Sequence, residues 1–245
     1  MTKRKAEVLA NNYFQFKQFT VYQDQCSMKV GTDGVLIGAW ANIDKAKTIL
    51  DIGTGTGLIA IMMAQRSFAK IDAVELEPAA YHQAVENIER CIWKDRIHVY
   101  NKSFQLYSET CKQQYDLIIT NPPYFSNALH TPDQKRTNAR HDISLSFEDI
   151  LSGSQRLLSD HGRLNVILPS SERNRIQQIS KTYNLFCTKI THVKPLPSKE
   201  PKRVLMEFSK KEKPLSENYL VIENNKRHHF TEEYKELTKE FYLNF

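Results

Sequence analysis

The sequence predicts an α/β fold in which helices cover both faces of a mostly parallel sheet. From residue 47 onward, short apolar runs typical of buried strands alternate with longer runs typical of helices. Two late apolar runs, 186–193 and 203–208, are too close in sequence to enclose a crossover helix. They should therefore pair antiparallel, as one departure from an otherwise parallel sheet.

Local patterns place the individual elements. A glycine-rich turn separates the first strand from an apolar helix that begins at Leu58, and Pro78 suits the first turn of the next helix. Two prolines after Asn121 end the fourth strand, since neither a strand nor a helix continues through them. A polar loop is expected over 126–144, and helices are expected over 147–158 and from Ser171. Strands are predicted at 48–52, 71–75, 97–100, 115–120, 162–168, 186–193 and 203–208, which makes a seven-stranded sheet.

Both ends of the chain lack this succession of strands and helices. In residues 13–22, apolar and polar side chains alternate as they do in strands, and a turn is expected near 23–27. We interpret residues 1–45 as an N-terminal β element or lid that belongs to the same domain as residues 46–245. Residues 219–223 are predicted as a strand and residues 231–245 as an amphipathic helix.

Composition excludes several classes of protein. The chain has 245 residues, 40% hydrophobic and 25% charged, which is typical of a folded soluble protein rather than a disordered one. Its longest apolar stretch, near 58–64, is far shorter than the roughly 20 residues that cross a bilayer. The N-terminal residues are too polar for a secretion signal, so we expect a cytoplasmic protein without membrane contact.

The cysteines predict neither a disulfide framework nor a metal site. They form no CxxC pair and lie far apart in sequence, at Cys26, Cys91, Cys111 and Cys187. Free thiols in a reducing compartment are the simplest interpretation, and no metal is expected.

The net charge of +6 belongs to the last third of the chain. Residues 1–160 carry 18 basic and 18 acidic side chains, and residues 161–245 carry the other 16 basic and 10 acidic ones. A basic surplus on one part of a fold suggests a polyanion such as nucleic acid. A lysine-rich solvated surface explains the charge alone at least as well.

A glycine motif follows the first predicted strand. It runs from Asp51 through Gly53, Gly55 and Gly57, with the acid placed before the glycines. Glycines let the backbone turn tightly and let a ligand lie against it. A loop that binds phosphate gains nothing from a carboxylate at that point, whereas a loop that binds a ligand with an ammonium group does. The pattern therefore favours S-adenosylmethionine (SAM) over a nicotinamide dinucleotide.

An acidic residue ends the second strand, where a carboxylate can accept hydrogen bonds from both hydroxyls of a ribose. Glu75 is the better candidate by position, and Glu77 is the competing one.

Asn121-Pro-Pro-Tyr124 follows the fourth strand and so lies at the same sheet edge as the glycine motif. The two prolines remove N–H donors, which leaves carbonyl oxygens and the Asn121 side-chain oxygen as acceptors. Such a site suits an NH₂ group whose nitrogen lone pair is to attack an electrophile. Tyr124 offers a flat face for a planar substrate.

These motifs resemble those of the class I SAM-dependent methyltransferases, in the branch that methylates amino groups. Residues 16–19 and 28–40, Arg203-Val-Leu and residues 231–243 are similar to the bacterial valine-tRNA adenine-37 N6-methyltransferases. The resemblance covers nearly the whole chain. The glycine and Asn-Pro-Pro-Tyr motifs identify only the superfamily, while residues 29–40 and the C-terminal helix are specific to the family.

The resemblance implies a Rossmann-like fold, SAM as methyl donor without a metal, and tRNA as partner, with a monomer or weak dimer and no protein partner. It implies a catalytic group of Asn121, Pro122 and Tyr124. Where the family usually has an acid for the SAM adenine, this chain has Ser103, with Asn101 as an alternative. The implied cofactor residues are Lys29, Thr32, Asp33, Asp51, Gly53, Gly55, Gly57, Glu75, Ser103 and Asn121.

The RNA backbone is expected to bind basic residues of the late hairpin and of the loop after Tyr124. The predicted contacts are Lys194, Lys199, Lys202, Arg203 and Arg140, and Lys210, Lys211 and Lys213 belong to the same basic group in sequence.

Other functions stay open at this point. A release-factor glutamine presents an amide NH₂ that fits the same acceptors, although such enzymes usually carry a helical N-terminal domain. DNA adenine and ribosomal RNA guanine are further acceptors. A methyltransferase-like RNA-binding module without catalysis is the alternative outside the enzymes, and the intact motif residues count against it. A nicotinamide oxidoreductase is disfavoured by the glycine spacing.

Overall fold

A computed structural model of the chain describes residues 12–123 and 145–245. Its main sheet has eight strands in the order β10-β8-β9-β7-β6-β3-β4-β5. Only β9 runs antiparallel to its neighbours, which confirms the predicted mostly parallel sheet with a late antiparallel strand. The strands are β1 Tyr13–Gln15, β2 Thr20–Tyr22, β3 Thr48–Ile52, β4 Lys70–Glu75, β5 Ile97–Asn101, β6 Tyr115–Thr120, β7 Leu158–Pro169, β8 Phe186–Lys194, β9 Arg203–Ser209 and β10 Ser216–Val221.

Helices cover both faces of this sheet, as predicted. One core joins α1, α2 and α7 to the first face, and a second core packs α4, α5 and α6 on the other. Burial of these apolar faces supplies most of the driving force for folding. The described helices are α1 Thr32–Trp40, α2 Leu58–Arg66, α3 Pro78–Glu89, α4 Phe104–Thr110, α5 Phe147–Leu157, α6 Arg173–Thr182 and α7 Glu232–Thr238, with short 3₁₀ turns at Lys94–Arg96 and Ser170–Glu172.

The N-terminal segment differs from the prediction in two ways. The hairpin β1–β2 turns at residues 16–19, where Phe16 N donates to Phe19 O at 2.8 Å and the two rings stack, and not at 23–27. The segment also contains α1, which the β interpretation omitted. Alternation did not reveal this helix because α1 is apolar almost all round, so it lacks the amphipathic pattern of a surface helix.

The main sheet has one strand more than the seven predicted. Ser216–Val221 pairs in parallel with β8 at the edge of the sheet. Its first residues are polar and exposed, so only its end has the apolar character that the sequence shows at 219–223. Within the described part of the chain, no helix is both long and apolar enough to span a membrane.

Candidate active site

The carboxyl ends of four central parallel strands meet at one edge of the sheet. Register pairs Ile52 of β3 with Val74 of β4 on one side and with Thr120 of β6 on the other. Gly53 and Asn121 therefore leave neighbouring strands at the same level, about 5 Å apart as strand spacing requires. The Thr120 hydroxyl donates to Ile52 O at 2.9 Å and ties these two strand ends together.

The turn after β3 depends on its glycines. Gly53, Gly55 and Gly57 have φ values of 69°, 58° and 82°, a left-handed region that side chains disfavour. A Cβ atom on Gly53 or Gly55 would have no neighbour within 4 Å, so the backbone there borders open space. At Gly57 a Cβ would lie 3.5 Å from Ala84 of α3. The first two glycines thus leave room for a ligand, and the third allows close helix packing.

Asp51 lies completely buried beneath this turn. Its Oδ2 accepts hydrogen bonds from the Thr54 hydroxyl at 2.6 Å and from Ala60 N at 3.2 Å. Its Oδ1 is buried and has no hydrogen-bond partner among the described residues. Desolvation by burial raises the pKa of Asp51 from 3.8 to about 7, although the bonds from Thr54 and Ala60 act in the opposite direction. A cation at this turn would supply the missing partner.

Glu75 ends β4 with its carboxylate turned to the same glycine turn. One oxygen accepts from Gly55 N at 2.8 Å, and the other accepts from Glu77 N at 2.9 Å. A carboxylate has about four acceptor positions, so two stay available for the hydroxyls of a ribose. The Glu77 backbone orients the Glu75 carboxylate, while Glu77 itself is exposed at the start of α3.

The two candidates for the SAM adenine lie near the end of β5. Asn101 donates from its side-chain nitrogen to Glu75 O at 2.9 Å and Leu76 O at 3.1 Å, which holds its amide against the Glu75 connection. Ser103 caps α4, where its hydroxyl oxygen accepts from Leu106 N at 3.2 Å. Its hydroxyl proton is not used by that cap, so Ser103 can still donate.

The Asn-Pro-Pro segment is described up to Pro123. Asn121 is half-buried, Pro122 is buried and Pro123 is exposed. Tyr124 and Arg140 lie outside the described residues, as does the predicted loop over 126–144.

The connection that leads into α1 lies close to the glycine turn. Gln25 N donates to Gln83 Oε1 of α3 at 2.9 Å, and Val30 N donates to Gln23 Oε1 at 2.8 Å. A Cβ on Gly34 would lie 3.0 Å from Leu58, the first residue of α2. The start of α1 therefore lies beside the end of the glycine turn.

Three predicted cofactor residues lie at this start of α1. Lys29 and Thr32 are exposed, and Asp33 is half-buried. Asp33 Oδ2 accepts a hydrogen bond from Arg203 Nε at 2.7 Å, which also forms an ion pair. The structure thus joins a residue predicted to bind the cofactor to one predicted to bind RNA. Sequence spacing could not show this contact, because 170 positions separate the two residues.

The basic residues of the late hairpin are divided between two edges of the sheet. Arg203 pairs with Pro169 at the carboxyl end of β7, so it lies at the Asn121 edge. Lys194 ends β8, and Lys199 and Lys202 lie in the connection that leads to β9. Lys210, Lys211 and Lys213 follow the other end of β9, about 20 Å away.

Hydrogen bonding agrees with this division, since Lys210 Nζ donates to the carbonyl of Leu158, the first residue of β7. The seven basic residues therefore do not surround one site, as their grouping in the sequence suggested, because β9 separates them into two groups.

A cavity of about 460 Å³ lies elsewhere, between the N-terminal hairpin and the end of the chain. Aromatic side chains line it, among them Phe14, Phe230, Tyr242 and Phe245. Of the predicted site residues that the structure describes, Thr32 alone lines it. Most of its lining is apolar, with Gln15, Glu223 and Asn244 among the polar exceptions.

Sequence reasoning missed Thr54, whose hydroxyl holds the Asp51 carboxylate. The signal was available, since Thr54 lies inside the glycine motif. Over residues 12–123 and 145–245, no group of three or more His, Cys, Asp or Glu side chains could hold a metal ion.

The residues at the sheet edge fit SAM. The unpartnered buried oxygen of Asp51 suits the ammonium group, and the open space beside Gly53 and Gly55 admits a ligand against the backbone. Glu75 has acceptor positions for the ribose.

Comparison with known proteins agrees with this geometry. Residues 30–184 match the methyltransferase small domain family. A protein from Trichodesmium erythraeum is 49% identical over 240 residues, which cover 97% of this chain and 100% of that protein. A protein from Bacteroides thetaiotaomicron is 47% identical, covering 96% of this chain and 99% of the relative. Both are named tRNA1(Val) (adenine(37)-N6)-methyltransferase.

Solved structures support the fold. An Agrobacterium tumefaciens protein, described as a predicted O-methyltransferase, superposes with a TM-score of 0.69 at 20% identity and covers 85% of this chain and 96% of its own. The methyltransferase CcbJ from Streptomyces caelestis gives a TM-score of 0.55 at 11% identity, covering 76% and 95%. From its glycine turn, its sheet order and these relatives, the chain belongs to the SAM-dependent methyltransferases of the small domain family, in the group of the tRNA1(Val) (adenine(37)-N6)-methyltransferases.

Proposed function

We propose that this chain transfers a methyl group from SAM to the exocyclic N6 of adenine 37 in valine tRNA. The observation that supports this most is the register of β3 and β6, which sets Asn121-Pro-Pro beside the Gly53 turn. An acceptor for an amino group and a turn suited to SAM thereby share one edge. The names of relatives that match over nearly the whole chain supply the adenine and the tRNA.

The chain's contribution to the chemistry is positioning. Bound SAM supplies a methyl group already activated by its sulfonium. Asn121, through its side-chain oxygen, and Pro122, through its carbonyl, accept hydrogen bonds from the adenine amino group. These bonds orient the nitrogen lone pair and hold it in line for transfer at about 3 to 3.5 Å. Tyr124 stacks on the base.

No general base is needed in this scheme. The nitrogen that receives the methyl group becomes cationic and acidic, so it loses a proton to water. The two prolines favour this orientation because Pro122 and Pro123 have no N–H groups that could donate a hydrogen bond to the lone pair of the amino nitrogen. An adenine in a tRNA loop has to leave its stack to reach this edge.

SAM would be held by residues from four segments of the chain that meet at this edge. Asp51 pairs with its ammonium group, the backbone of Gly53, Gly55 and Gly57 lies against it, and Glu75 binds its ribose. Ser103, or Asn101, reaches its adenine. The chain entering α1 closes over it with Lys29, Thr32 and Asp33, and there the Arg203 contact holds Asp33 in place.

The RNA backbone would bind beyond this site, at the basic end of the sheet. Lys194, Lys199, Lys202 and Arg203 lie at the Asn121 edge, where phosphate contacts can position the tRNA. Arg140 is proposed as a further contact from the loop after Tyr124.

The acceptor can be identified directly. Purified protein is incubated with tritium-labelled SAM and a valine tRNA transcript, and a matched transcript with guanine at position 37 is the control. We expect label in the first RNA, recovered as N6-methyladenosine, and none in the second. Bulk tRNA, total protein and DNA from a strain lacking the gene test the other acceptors. Label that enters protein alone would overturn the proposal, and equal labelling of both transcripts would overturn the position.

A further inference from the structure

The edge strand β10 carries an exposed tyrosine whose ring stacks on a histidine of the neighbouring strand. Tyr219 is 65% exposed, and its ring stacks on His192 of β8 with the centroids 4.9 Å apart and the planes at 26°. The two residues are register partners, so both side chains lie on the same face of the sheet. One face of the tyrosine ring is therefore covered, and most of the remaining side chain is in contact with solvent.

A chain of polar contacts holds this histidine in position. His192 is only 7% exposed, and its Nε2 lies 2.6 Å from Glu217 Oε1. Glu217 also pairs with Arg173 at the start of α6, at 3.0 Å. The hydrogen bond from His192, together with the Arg173 charge, lowers the pKa of Glu217 below its usual 4.5. The histidine ring beneath Tyr219 is thus fixed rather than free to rotate.

A basic segment of the chain lies beside Tyr219. Lys194 Nζ lies 5.9 Å from the centre of the Tyr219 ring and 3.2 Å from the carbonyl of Pro197. Residues 189–203 carry five basic side chains against one acid, Glu200. This segment leads along the carboxyl edge towards the Asn121 site. The exposed ring therefore lies at one end of the surface whose charge suits a polyanion.

We propose that Tyr219 is a stacking platform for an unpaired base of the RNA substrate, distinct from the adenine that is methylated. This inference rests on the proposed tRNA substrate. A flat ring that stacks on a histidine, with a lysine ammonium over it at 5.9 Å from the ring centre, has the form that proteins use to hold single-stranded bases, because every base has a π face and adjacent phosphates meet the cation.

The acceptor adenine cannot occupy this platform and the active site together. Four strand spacings separate β10 from β6, so Tyr219 lies about 19 Å from the Asn121 strand. A base at Tyr219 is consequently another nucleotide of the same RNA. The platform contributes to the choice and orientation of the RNA, while the chemistry takes place at Asn121.

The test compares three variants for equilibrium binding of the valine tRNA transcript. Tyr219→Leu removes the ring and keeps an apolar side chain, and Tyr219→Phe keeps the ring. Phe68→Leu is the matched control, since Phe68 is a 99% exposed aromatic with Arg96 at 6.0 Å, placed just before β4 at the opposite edge. We expect Tyr219→Leu to raise the Kd for the tRNA about tenfold, with Tyr219→Phe and Phe68→Leu within about twofold of the wild type.

Two further readouts separate stacking from other roles. In Tyr219→Leu the slope of log Kd against log salt should not change, because no phosphate contact is lost. Tyr219→Trp should bind as the wild type does and lose fluorescence when RNA covers the indole. SAM affinity and the melting temperature should stay constant in all variants.

The outcomes distinguish this inference from the proposed function. If the wild type methylates adenine 37 but Tyr219→Leu binds the tRNA with unchanged affinity, the platform is overturned and the function stands. If tRNA is not methylated at all, the proposed function fails first. A Kd that rises equally in Tyr219→Leu and Tyr219→Phe would indicate that the hydroxyl and not the ring makes the contact, and would also overturn stacking.

Discussion

The carboxyl edge of the sheet has two halves with opposite physical character. The half formed by β3 to β6 consists of tight turns, left-handed glycines and a completely buried carboxylate, and residues 48–120 carry nine acidic and seven basic side chains. The half formed by β7 to β10 consists of exposed connections that are rich in lysine. A small cationic cofactor suits the first half, where hydrogen bonds hold the Asp51 and Glu75 carboxylates in place. A polyanion suits the second, where long side chains adapt to phosphates.

This difference implies that substitutions in one half can impair SAM binding or methyl transfer without affecting tRNA binding, and the reverse. Changes near β3 to β6 should affect SAM binding or the transfer step and leave tRNA affinity intact. Changes near β7 to β10 should weaken tRNA binding and leave SAM affinity intact. The Asp33–Arg203 ion pair links the start of α1, beside the glycine turn, to β9 in the second half.

The largest effect is expected from Asn121→Ala. Loss of the side-chain oxygen removes one acceptor for the adenine amino group, so kcat should fall about 100- to 1000-fold. The Kd values for SAM and for tRNA should each change less than about twofold, as measured by calorimetry and by filter binding. A variant that keeps most of its kcat would show that Asn121 does not orient the acceptor nitrogen.

A smaller effect is expected from Asp51→Asn, and it should depend on pH. Free Asp51 has a pKa of about 7 because it is buried, and an ammonium partner requires its ionised form. The wild-type Kd for SAM should therefore fall about eightfold from pH 6 to pH 7.5. The asparagine variant should bind SAM more weakly and show little dependence on pH in this range. A flat wild-type profile would contradict the role of Asp51.

The raised pKa of Asp51 also determines how the stability of the protein changes with pH. The folded protein keeps the Asp51 proton up to about pH 7, whereas the unfolded chain releases it near 3.8. The stabilisation by protonated Asp51 is complete below the pKa of this group in the unfolded chain. It is lost as the pH rises through the higher pKa of the folded protein. Asp51→Asn should accordingly weaken the fall in melting temperature between about pH 4 and pH 7 in the absence of SAM.

The smallest effect is expected from single lysines, and here the two edges can be compared. Lys202→Ala should raise the Kd for tRNA about threefold and reduce the salt slope by about one, since one phosphate contact is lost. Lys213→Ala is the matched control, because Lys213 is also exposed but lies at the opposite edge. Equal losses from both variants would mean that the +6 charge acts as a diffuse field and that the two edges do not differ in RNA binding.

The sequence predicted the parts of the fold that depend on local pattern. The strands β3 to β9, the helix after the glycine turn and the antiparallel late strand all follow from apolar runs and from the spacing between them. The hairpin turn and α1 did not, because a helix that is apolar all round resembles a buried strand in a single sequence. For the edge strand β10, the sequence predicted only the apolar end, as a strand at 219–223, because the first residues of the strand are polar and exposed.

By itself, the sequence determined which chemical groups are available: a carboxylate before three glycines, a second acid one strand later, and an asparagine before two prolines. Residue identity and spacing fix these because each motif lies within one turn. Only the tertiary structure decided which distant groups meet, such as Arg203 with Asp33, and which sequence neighbours separate, such as Lys202 and Lys210. The reason is physical: a strand of seven residues carries its two ends about 20 Å apart, and strand pairing joins positions that no local pattern relates.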